Sequence, residues 1–334
     1  MILVLDKKGT HVSHRQGVLL VRQADGDCQR VPLRMLDQVI VHGNPEIEIP
    51  VWRALAQFGI MTTILPLRGK GAAAHLGQGL ATRLPLRKLQ HRIAADRQRE
   101  LLLAKWFVEQ KFNAYDLPLD LIPPDFQPLR LRFIRQRRDA LDSLAQAGDI
   151  ATVMGTEGAL ANAWFQLLAS ALPEQWRFTG RNRRPPRDPL NALLSLGYTL
   201  LGSELYQILL SEGLDPSLGF LHTDHPARHG LVLDFQEIFR PGIDYFSLGV
   251  LADLRPKDFS DNKQEGCRLS KEARGQFYGA WADYRENWPR LSSISEERMR
   301  FAPLAEQARG AVMEMRETMK STITTDEASV DAPA

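Results

Sequence analysis

Short apolar runs separated by turn-forming residues fill the first 85 residues of the chain. These runs are partly β-branched, as is typical of strands, and they cover residues 2–5, 18–21, 38–41 and 61–65. Lys8-Gly9, Asp25-Gly26-Asp27 and Gly43-Asn44-Pro45 separate them. Residues 50–58 predict one short helix, and the Gly- and Ala-rich residues 69–79 predict an exposed strand edge or a loose loop. We therefore predict a small β-rich domain over residues 1–85.

The hydrophobic periodicity becomes helical from residue 86 onward. Residues 88–113 carry apolar positions at helical spacing, and the pattern of residues 129–147 predicts a strongly basic helix. The four prolines within residues 117–128 predict an irregular connection. Asp149 and Asp188-Pro189 are signals for helix starts. The fold class expected is thus α+β, with an all-α domain over residues 86–318 and a disordered tail over 319–334.

Composition narrows the function classes only slightly. The chain has 334 residues, of which 25% are charged and 44% hydrophobic, with a formal net charge of +2. A nucleic-acid role would therefore depend on local basic patches. Cys28 and Cys267 provide neither a disulfide framework nor a thiolate zinc site. Without a recognisable signal peptide or membrane-length apolar run, we expect a cytoplasmic protein.

Glu157 interrupts an apolar helix face. The residues that share this face by steps of three and four are Val153, Leu160, Trp164 and Leu168. Small residues surround the glutamate, namely Gly155, Gly158, Ala159 and Ala161. They leave room for a metal ion, a substrate strand or another backbone. The alternative is a glutamate that pairs with a buried arginine.

Asp234 and Glu237 lie three residues apart in an apolar segment. On a helix they project from one face, where two carboxylates repel each other unless a cation or a proton intervenes. The alternative is helix capping, or ion pairing with Arg228 and Arg240. His222 precedes them by twelve residues in a turn-rich region, and an imidazole with carboxylates favours magnesium or manganese.

A zinc site is the other interpretation of the histidine-rich turn. Asp224, His225 and His229 lie close to His222 in sequence. A zinc hydrolase is therefore an alternative. It is the less favoured one, because a short loop rarely supplies a full tetrahedral set of ligands.

Five arginines within residues 177–187 form the strongest basic cluster. Pro185 and Pro186 lie within this cluster at the entrance of a helix, which favours a surface that binds phosphate. The basic segments 92–99 and 130–138 would extend this surface. The alternative is a solvated linker, because charge runs are often only exposed faces.

Four motifs in a fixed order resemble one known family. They are Gly-x-Glu-Gly at 155–158, Arg-x-Arg-Arg-Pro-Pro-x-Asp-Pro-x-Asn-Ala-Leu-Leu-Ser-x-Gly-Tyr at 181–198, Gly-Phe-Leu-His at 219–222 and Asp-x-x-Glu-x-x-Arg-Pro at 234–241. This order is similar to that of the CRISPR-associated integrase and endonuclease of the adaptation module, the first CRISPR-associated protein family. The resemblance extends from the N-terminal strands to about residue 300.

The resemblance implies a site and its roles. Glu157, His222 and Glu237 would hold magnesium or manganese, and Asp234 would be a further acid needed for activity. Residues expected to bind DNA are Arg181, Arg183, Arg184, Arg187, Arg228, Arg240 and Tyr198. Tyr198 or Trp164 would stack on an unpaired base.

The resemblance also implies the reaction and the partners. The free 3′ hydroxyl of a captured DNA fragment would attack a CRISPR array by transesterification. The partners implied are double-stranded DNA (prespacer and leader-repeat), a small ferredoxin-like second adaptation protein, and a second copy of the chain bound through the β domain. A nuclease that never integrates and a non-catalytic DNA-binding scaffold remain alternatives.

Overall fold

The computed structural model describes residues 1–66, 73–76, 84–182, 185–223, 229–262, 266–290 and 300–330. Strands dominate the N-terminal region, and helices dominate the remainder. The predicted α+β class is therefore confirmed.

Eight strands and one α-helix are described in the N-terminal region. The strands are β1 (Ile2–Leu5), β2 (His11–Arg15), β3 (Val18–Arg22), β4 (Cys28–Pro32), β5 (Gln38–Val41), β6 (Glu46–Ile47), β7 (Met61–Ile64) and β8 (Ala74–Leu76). Helix α1 (Ile49–Gln57) lies where the sequence predicts one short helix. The sequence did not predict β2, β4 and β6. Of residues 69–79, the described part forms the edge strand β8.

The N-terminal strands form two four-stranded sheets. One has the order β1-β5-β7-β8, with its first three strands parallel, and the other has the order β4-β3-β2-β6. All four residues of β5 are buried, as expected of a central parallel strand. Val39 and Val41 of β5 contribute to a core within this region, whereas Ile40 points into the core of the helical region. Because successive side chains of β5 point to opposite faces of the sheet, this strand contributes to both cores and joins the N-terminal region to the helical region.

Ten helices are described, nine of them after β8. These nine are α2 (Leu84–Ala94), α3 (Arg97–Ala114), α4 (Asp116–Leu119), α5 (Gln127–Gln146), α6 (Ile150–Ala171), α7 (Pro189–Ser211), α8 (Gly230–Asp253), α9 (Lys271–Glu286) and α10 (Leu304–Val330). Two short antiparallel pairs accompany them, β9 (Phe259–Asn262) with β10 (Gly266–Leu269) and β11 (Trp288–Arg290) with β12 (Arg300–Ala302).

Capping residues explain several helix boundaries. Asp149 caps α6 by accepting from Thr152 N–H at 2.8 Å, and Asp188 caps α7 by accepting from Asn191 N–H at 2.9 Å. Both helix starts were predicted. The helical pattern predicted over residues 88–113 is divided between α2 and α3, because Asp96 accepts from two backbone N–H groups and starts α3. The proline-rich residues 117–128 include part of α4 rather than only an irregular connection.

The disordered tail predicted over residues 319–334 overlaps the end of α10, which extends to Val330. Val312, Met315 and Met319 of this helix are fully buried. The first two precede the predicted tail and Met319 is its first residue, so the disorder of the tail stays a prediction.

Helices α7 and α8 form the centre of the helical region. Within the described residues, α7 is the one helix whose length and hydropathy match those of a membrane span. More than half of that apolar stretch is buried inside the protein. It packs against α8, which carries Asp234 and Glu237.

Candidate active site

Asp234 organises the loop that carries His222. Its carboxylate is fully buried and accepts from the backbone N–H groups of Phe220 at 2.6 Å, Leu221 at 3.1 Å and His222 at 3.0 Å. It also accepts from Nδ1 of His222 at 2.8 Å. A carboxylate only accepts hydrogen bonds, so Nδ1 is the donor, and the tautomer that matches this bond has its lone pair on Nε2.

Two glycines allow this loop to approach the start of α8. A Cβ on Gly219 would lie 2.8 Å from Oδ2 of Asp234, and a Cβ on Gly230 would lie 3.0 Å from the backbone nitrogen of Gly219. Both distances are shorter than normal carbon contacts. The glycine of the Gly-Phe-Leu-His motif therefore permits the hydrogen bonds that Asp234 makes.

Glu237 lies one helical turn from Asp234 and faces His222. Its Oε1 is 4.0 Å from Nε2 of His222 and also contacts Arg240. The side chain is buried, which by itself would raise its pKa. The positive charges of Arg240 and Lys111 outweigh burial and lower the pKa of Glu237 to about 2.

Lys111 joins Glu237 to Glu157. Its ammonium donates to Oε2 of Glu237 at 2.7 Å and also contacts Oε1 of Glu157. Only 2% of the lysine side chain is exposed, against 19% for Glu157. Burial opposes the charged lysine, but the two carboxylates outweigh it and raise the Lys111 pKa. The alternative partner considered for Glu157 was an arginine, and the observed partner is this lysine.

Lys111 was not among the predicted site residues, although the sequence carries a signal for it. The residue falls on the buried face of α3, at helical spacing from Ala104, Phe107 and Val108, all fully buried. This is the same interruption of an apolar face that drew attention to Glu157.

Three predicted ligand residues, distant in sequence, therefore converge. Because one ammonium contacts both carboxylates, the nearest oxygens of Glu157 and Glu237 lie within roughly 6 Å, the sum of two hydrogen-bond lengths. His222 Nε2 lies beside Glu237. These donors are two carboxylates and an imidazole whose other nitrogen is held by a carboxylate, which suits a divalent cation.

Lys111 occupies the space between two of these donors. Among the described residues, no group of three His, Cys, Asp or Glu side chains is placed to hold a metal ion. The Lys111 ammonium lies between Glu157 and Glu237, the space that a shared ion would take. The chemistry of these donors therefore suits a divalent ion, but the Lys111 ammonium already occupies the two carboxylates that the ion would share.

A pocket of about 310 Å³ opens beside Glu157. Lys111, Arg181 and Arg240 contribute positive charge to its lining. Gly158 also lines it, and a Cβ there would meet no atom within 4 Å. The small residues next to Glu157 thus leave open space, as the sequence indicated.

Asp244 is a buried acid of this pocket that sequence reasoning missed. It accepts from the Tyr198 hydroxyl at 2.5 Å and from Nε1 of Trp164 at 2.9 Å. Burial raises its pKa to about 6, although both hydrogen bonds act in the opposite direction. Asp244 follows Glu237 by seven residues, so it repeats on the same face of α8.

Trp164 does not provide a surface for stacking. Its ring is fully buried between Tyr115 and Phe133, with centroids 5.4 and 5.5 Å away. The idea that it stacks on a base is therefore wrong. Tyr198 is partly buried, and the guanidinium groups of Arg181 and Arg240 each lie 5.4 Å from its ring centroid.

The arginines expected to bind DNA have different surroundings. Arg181 donates to Oδ1 of Asn191 at 2.7 Å, and Arg240 contacts Glu237. Arg187 is exposed, and its backbone N–H donates to Asn182 at 2.8 Å. Arg183, Arg184 and Arg228 lie outside the described residues.

The zinc alternative involves Asp224, His225 and His229. Asp224 and His225 lie outside the described residues. His229 is exposed, and its ring lies 4.6 Å from that of Tyr206, measured between centroids. Within the described residues it belongs to no metal-ligating group.

Comparison with known proteins extends the match beyond the motifs. Residues 3–283 match the family model described as CRISPR associated protein Cas1. CRISPR-associated endonuclease Cas1 3 from Thermus thermophilus is 32% identical over 295 residues, which cover 84% of this chain and 83% of the relative.

Solved structures show the same fold. A casposase bound to integration product aligns with a TM-score of 0.80 and 23% identity, covering 96% of this chain and 91% of that one. A chain of a Cas6-RT-Cas1–Cas2 complex aligns with a TM-score of 0.78 and 22% identity, covering 96% of this chain and 35% of that longer one. With the motifs, the convergent side chains and the sequence match over most of its length, the chain belongs to the Cas1 family of CRISPR-associated proteins.

Proposed function

We propose that this protein is a metal-dependent DNA endonuclease and integrase that inserts spacer DNA into CRISPR arrays. The observation that carries the proposal is the convergence of Glu157, His222 and Glu237 from three separate segments of a Cas1-family chain. The names of its relatives, which are called endonucleases, support the nuclease class.

The proposed ligands are Glu157, Glu237 and Nε2 of His222, with magnesium or manganese as the ion. Such an ion, when bound, polarises a phosphodiester and stabilises the leaving oxygen. Asp234 holds Nδ1 of His222 and so directs Nε2 toward Glu237. The positive charges of Arg240 and Lys111 lower the pKa of Glu237 and so keep this carboxylate ionised.

The proposed reaction is transesterification. The 3′ hydroxyl of a captured fragment forms a new P–O bond, and the P–O bond to the 3′ oxygen of the target strand breaks. Attack by water on the same phosphodiester would give nuclease activity. The positive side chains around the pocket support binding of the DNA backbone, with an affinity that falls as salt rises.

The partners follow from the same proposal. They are double-stranded prespacer and leader-repeat DNA, and a small ferredoxin-like second adaptation protein; the Cas1–Cas2 assembly named for a fold relative supports the latter. The domains proposed are residues 1–85, for dimerisation, and a helical catalytic domain from residue 86. Met35, Ile49 and Phe58 are exposed apolar residues that a dimer contact would cover.

A strand-transfer assay tests the proposal. Labelled double-stranded DNA with free 3′ hydroxyls is incubated with a plasmid that carries a leader and repeat, with magnesium or manganese. Wild-type protein should join label to plasmid, and Glu157→Gln should abolish joining. Glu109→Gln alters an exposed glutamate of α3 and is the matched control. Full joining by Glu157→Gln would contradict the proposal.

A non-catalytic scaffold is the second candidate. The pairing of Glu157 and Glu237 with Lys111 favours it, because paired acids also occur for purely structural reasons. A scaffold would bind DNA equally well in wild type and Glu157→Gln while neither joined label to plasmid. A nuclease without integration would cleave the plasmid but leave it unlabelled.

A further inference from the structure

We propose that the Lys111 ammonium competes with a divalent cation for Glu157 and Glu237, and that DNA phosphate relieves this competition by accepting the ammonium. The inference rests on the proposed function, since it takes these two carboxylates as ligands. It adds to that function a coupling between metal binding and DNA binding within one site.

The geometry makes the competition direct. One ammonium contacts an oxygen of each carboxylate. An ion shared by the same carboxylates would take the same space, and two positive charges that close repel strongly. The ammonium must therefore leave at least one carboxylate when the ion binds.

The backbone of Lys111 is held in the core, so displacement by an ion would move only its ammonium group. The neighbouring residues Phe107, Val108 and Phe112 of α3 are fully buried and hold the helix in the core. A lysine side chain has four rotatable bonds that allow its ammonium to point elsewhere. Displacement therefore requires a change of rotamer rather than a movement of α3.

The pocket gives the displaced ammonium a destination. Lys111 lines the pocket of about 310 Å³ beside Glu157, together with Arg181 and Arg240. Asp244 also lines this pocket, but it already accepts from Tyr198 and Trp164. An anion that enters this pocket would meet three cationic side chains, and phosphate is the anion that the proposed substrate supplies.

Charge balance gives the same result. Lys111 and Arg240 match the charges of Glu157 and Glu237, so a divalent ion added to these four groups leaves an excess of positive charge. Backbone phosphates compensate for this excess. By thermodynamic linkage, DNA should then strengthen metal binding by the factor by which the metal strengthens DNA binding.

Binding of Mn²⁺, followed by electron paramagnetic resonance of the free ion, tests the competition. Without DNA, Lys111→Met should bind Mn²⁺ about tenfold more tightly than wild type, since a repelling charge is removed. Lys105→Met alters another lysine of α3, whose ammonium donates to the carbonyl of Ala145 at 2.9 Å, and should bind like wild type. An unchanged affinity in Lys111→Met would overturn the competition.

Stability provides a readout independent of activity. Lys111→Met leaves two carboxylates without their shared partner, so its melting temperature should fall without metal and recover with Mn²⁺ more than that of wild type. If this variant does not fold, Lys111→Gln is measured instead, because its amide still donates one hydrogen bond. The absence of a larger Mn²⁺-dependent recovery in a folded variant would contradict the inference.

The coupling is tested by repeating the Mn²⁺ titration with a DNA duplex, after subtraction of the ion bound by the duplex alone. The duplex should tighten Mn²⁺ binding to wild type about tenfold. This gain should be clearly smaller in Lys111→Met, where only the direct contact of the ion with phosphate remains. Equal gains in both proteins would overturn the role of phosphate.

Glu157→Gln separates the two proposals. If it weakens Mn²⁺ binding while Lys111→Met matches wild type, the metal site stands and the competition fails. If Glu157→Gln binds Mn²⁺ like wild type, the proposed metal site itself fails.

Discussion

Oδ1 of Asp234 accepts hydrogen bonds from both the backbone N–H and the ring Nδ1 of His222, at 3.0 and 2.8 Å. The two bonds fix the position of the residue and the orientation of its ring together. Asp234 itself is fully buried. This geometry supports the role proposed for Asp234, which is to present Nε2 of His222 toward Glu237 rather than to face the pocket.

Asp234→Asn tests this role. The amide keeps the size of the side chain but can accept at only one atom. Two of the four donors therefore lose their partner, either the backbone N–H groups of Phe220 and Leu221 or the two donors of His222. We expect metal affinity or strand transfer to fall by about 10- to 100-fold. The free energy of unfolding in urea should fall by about 1–3 kcal/mol. Normal strand transfer by a destabilised variant would show that Asp234 only supports the fold.

Gly230→Ala tests the close approach of the His222 loop to α8. The added Cβ would press against Gly219 and the carbonyl of His222. We expect loss of stability and of strand transfer. Gly249→Ala on the same helix is the matched control, because no atom lies within 4 Å of its Cβ. That control should gain about 0.5–1 kcal/mol and keep its activity. Equal effects of the two changes would contradict this account of the loop.

Sequence patterns predicted the parts of the site that contrast with their surroundings. Glu157 was found because it interrupts an apolar face, and Asp234 with Glu237 because two acids share an apolar helix. Asp188 starts α7 as its position before Pro189 predicted. Asn191 lies in the same motif as the arginines expected to bind phosphate, but its amide donates to the carbonyl of Gly180 at 2.8 Å and holds the loop before α7. A motif shows which residues act together but not whether they face a ligand.

The remaining features depend on contacts that no local pattern specifies. Lys111 lies 46 residues before Glu157 and 126 before Glu237, so its shared role appears only when α3, α6 and α8 pack together. Strands β2, β4 and β6 contain many polar residues and gain their stability from pairing with neighbours. Helix α10 depends likewise on tertiary contacts, because Met315 and Met319 are buried against the rest of the protein.

Tyr278→Phe tests the contact between the N-terminal region and α9. The hydroxyl of Tyr278 bonds to Nδ1 of His42 at 2.6 Å. Its loss leaves a largely buried imidazole nitrogen without this partner. The free energy of unfolding should fall by about 1–2 kcal/mol, with strand transfer unchanged at temperatures where the variant is folded. No change in urea unfolding would show that the bond adds nothing to this contact.

Glu204→Gln tests a pH dependence remote from the proposed ligands. Burial raises the pKa of Glu204 from 4.5 to about 7, although Arg285 opposes the shift. The folded protein therefore retains a proton that the unfolded chain releases, and this contribution to stability is lost as pH rises from about 4.5 to about 7.

Unfolding in urea at several pH values measures this effect. The stability of Glu204→Gln relative to wild type should rise by about 3 kcal/mol across that interval, since the amide does not titrate. The comparison removes the contribution of other groups, such as His42, whose pKa burial lowers to about 4. Parallel stability curves would show that Glu204 titrates normally.

The central claim is that Glu157, His222 and Glu237 hold one divalent ion. Anomalous diffraction from crystals grown with Mn²⁺ and a DNA duplex tests it most directly. The account predicts a manganese peak about 2–2.6 Å from a carboxylate oxygen of Glu157, a carboxylate oxygen of Glu237 and Nε2 of His222. A peak bound elsewhere, with Lys111 still between the two glutamates, would contradict it.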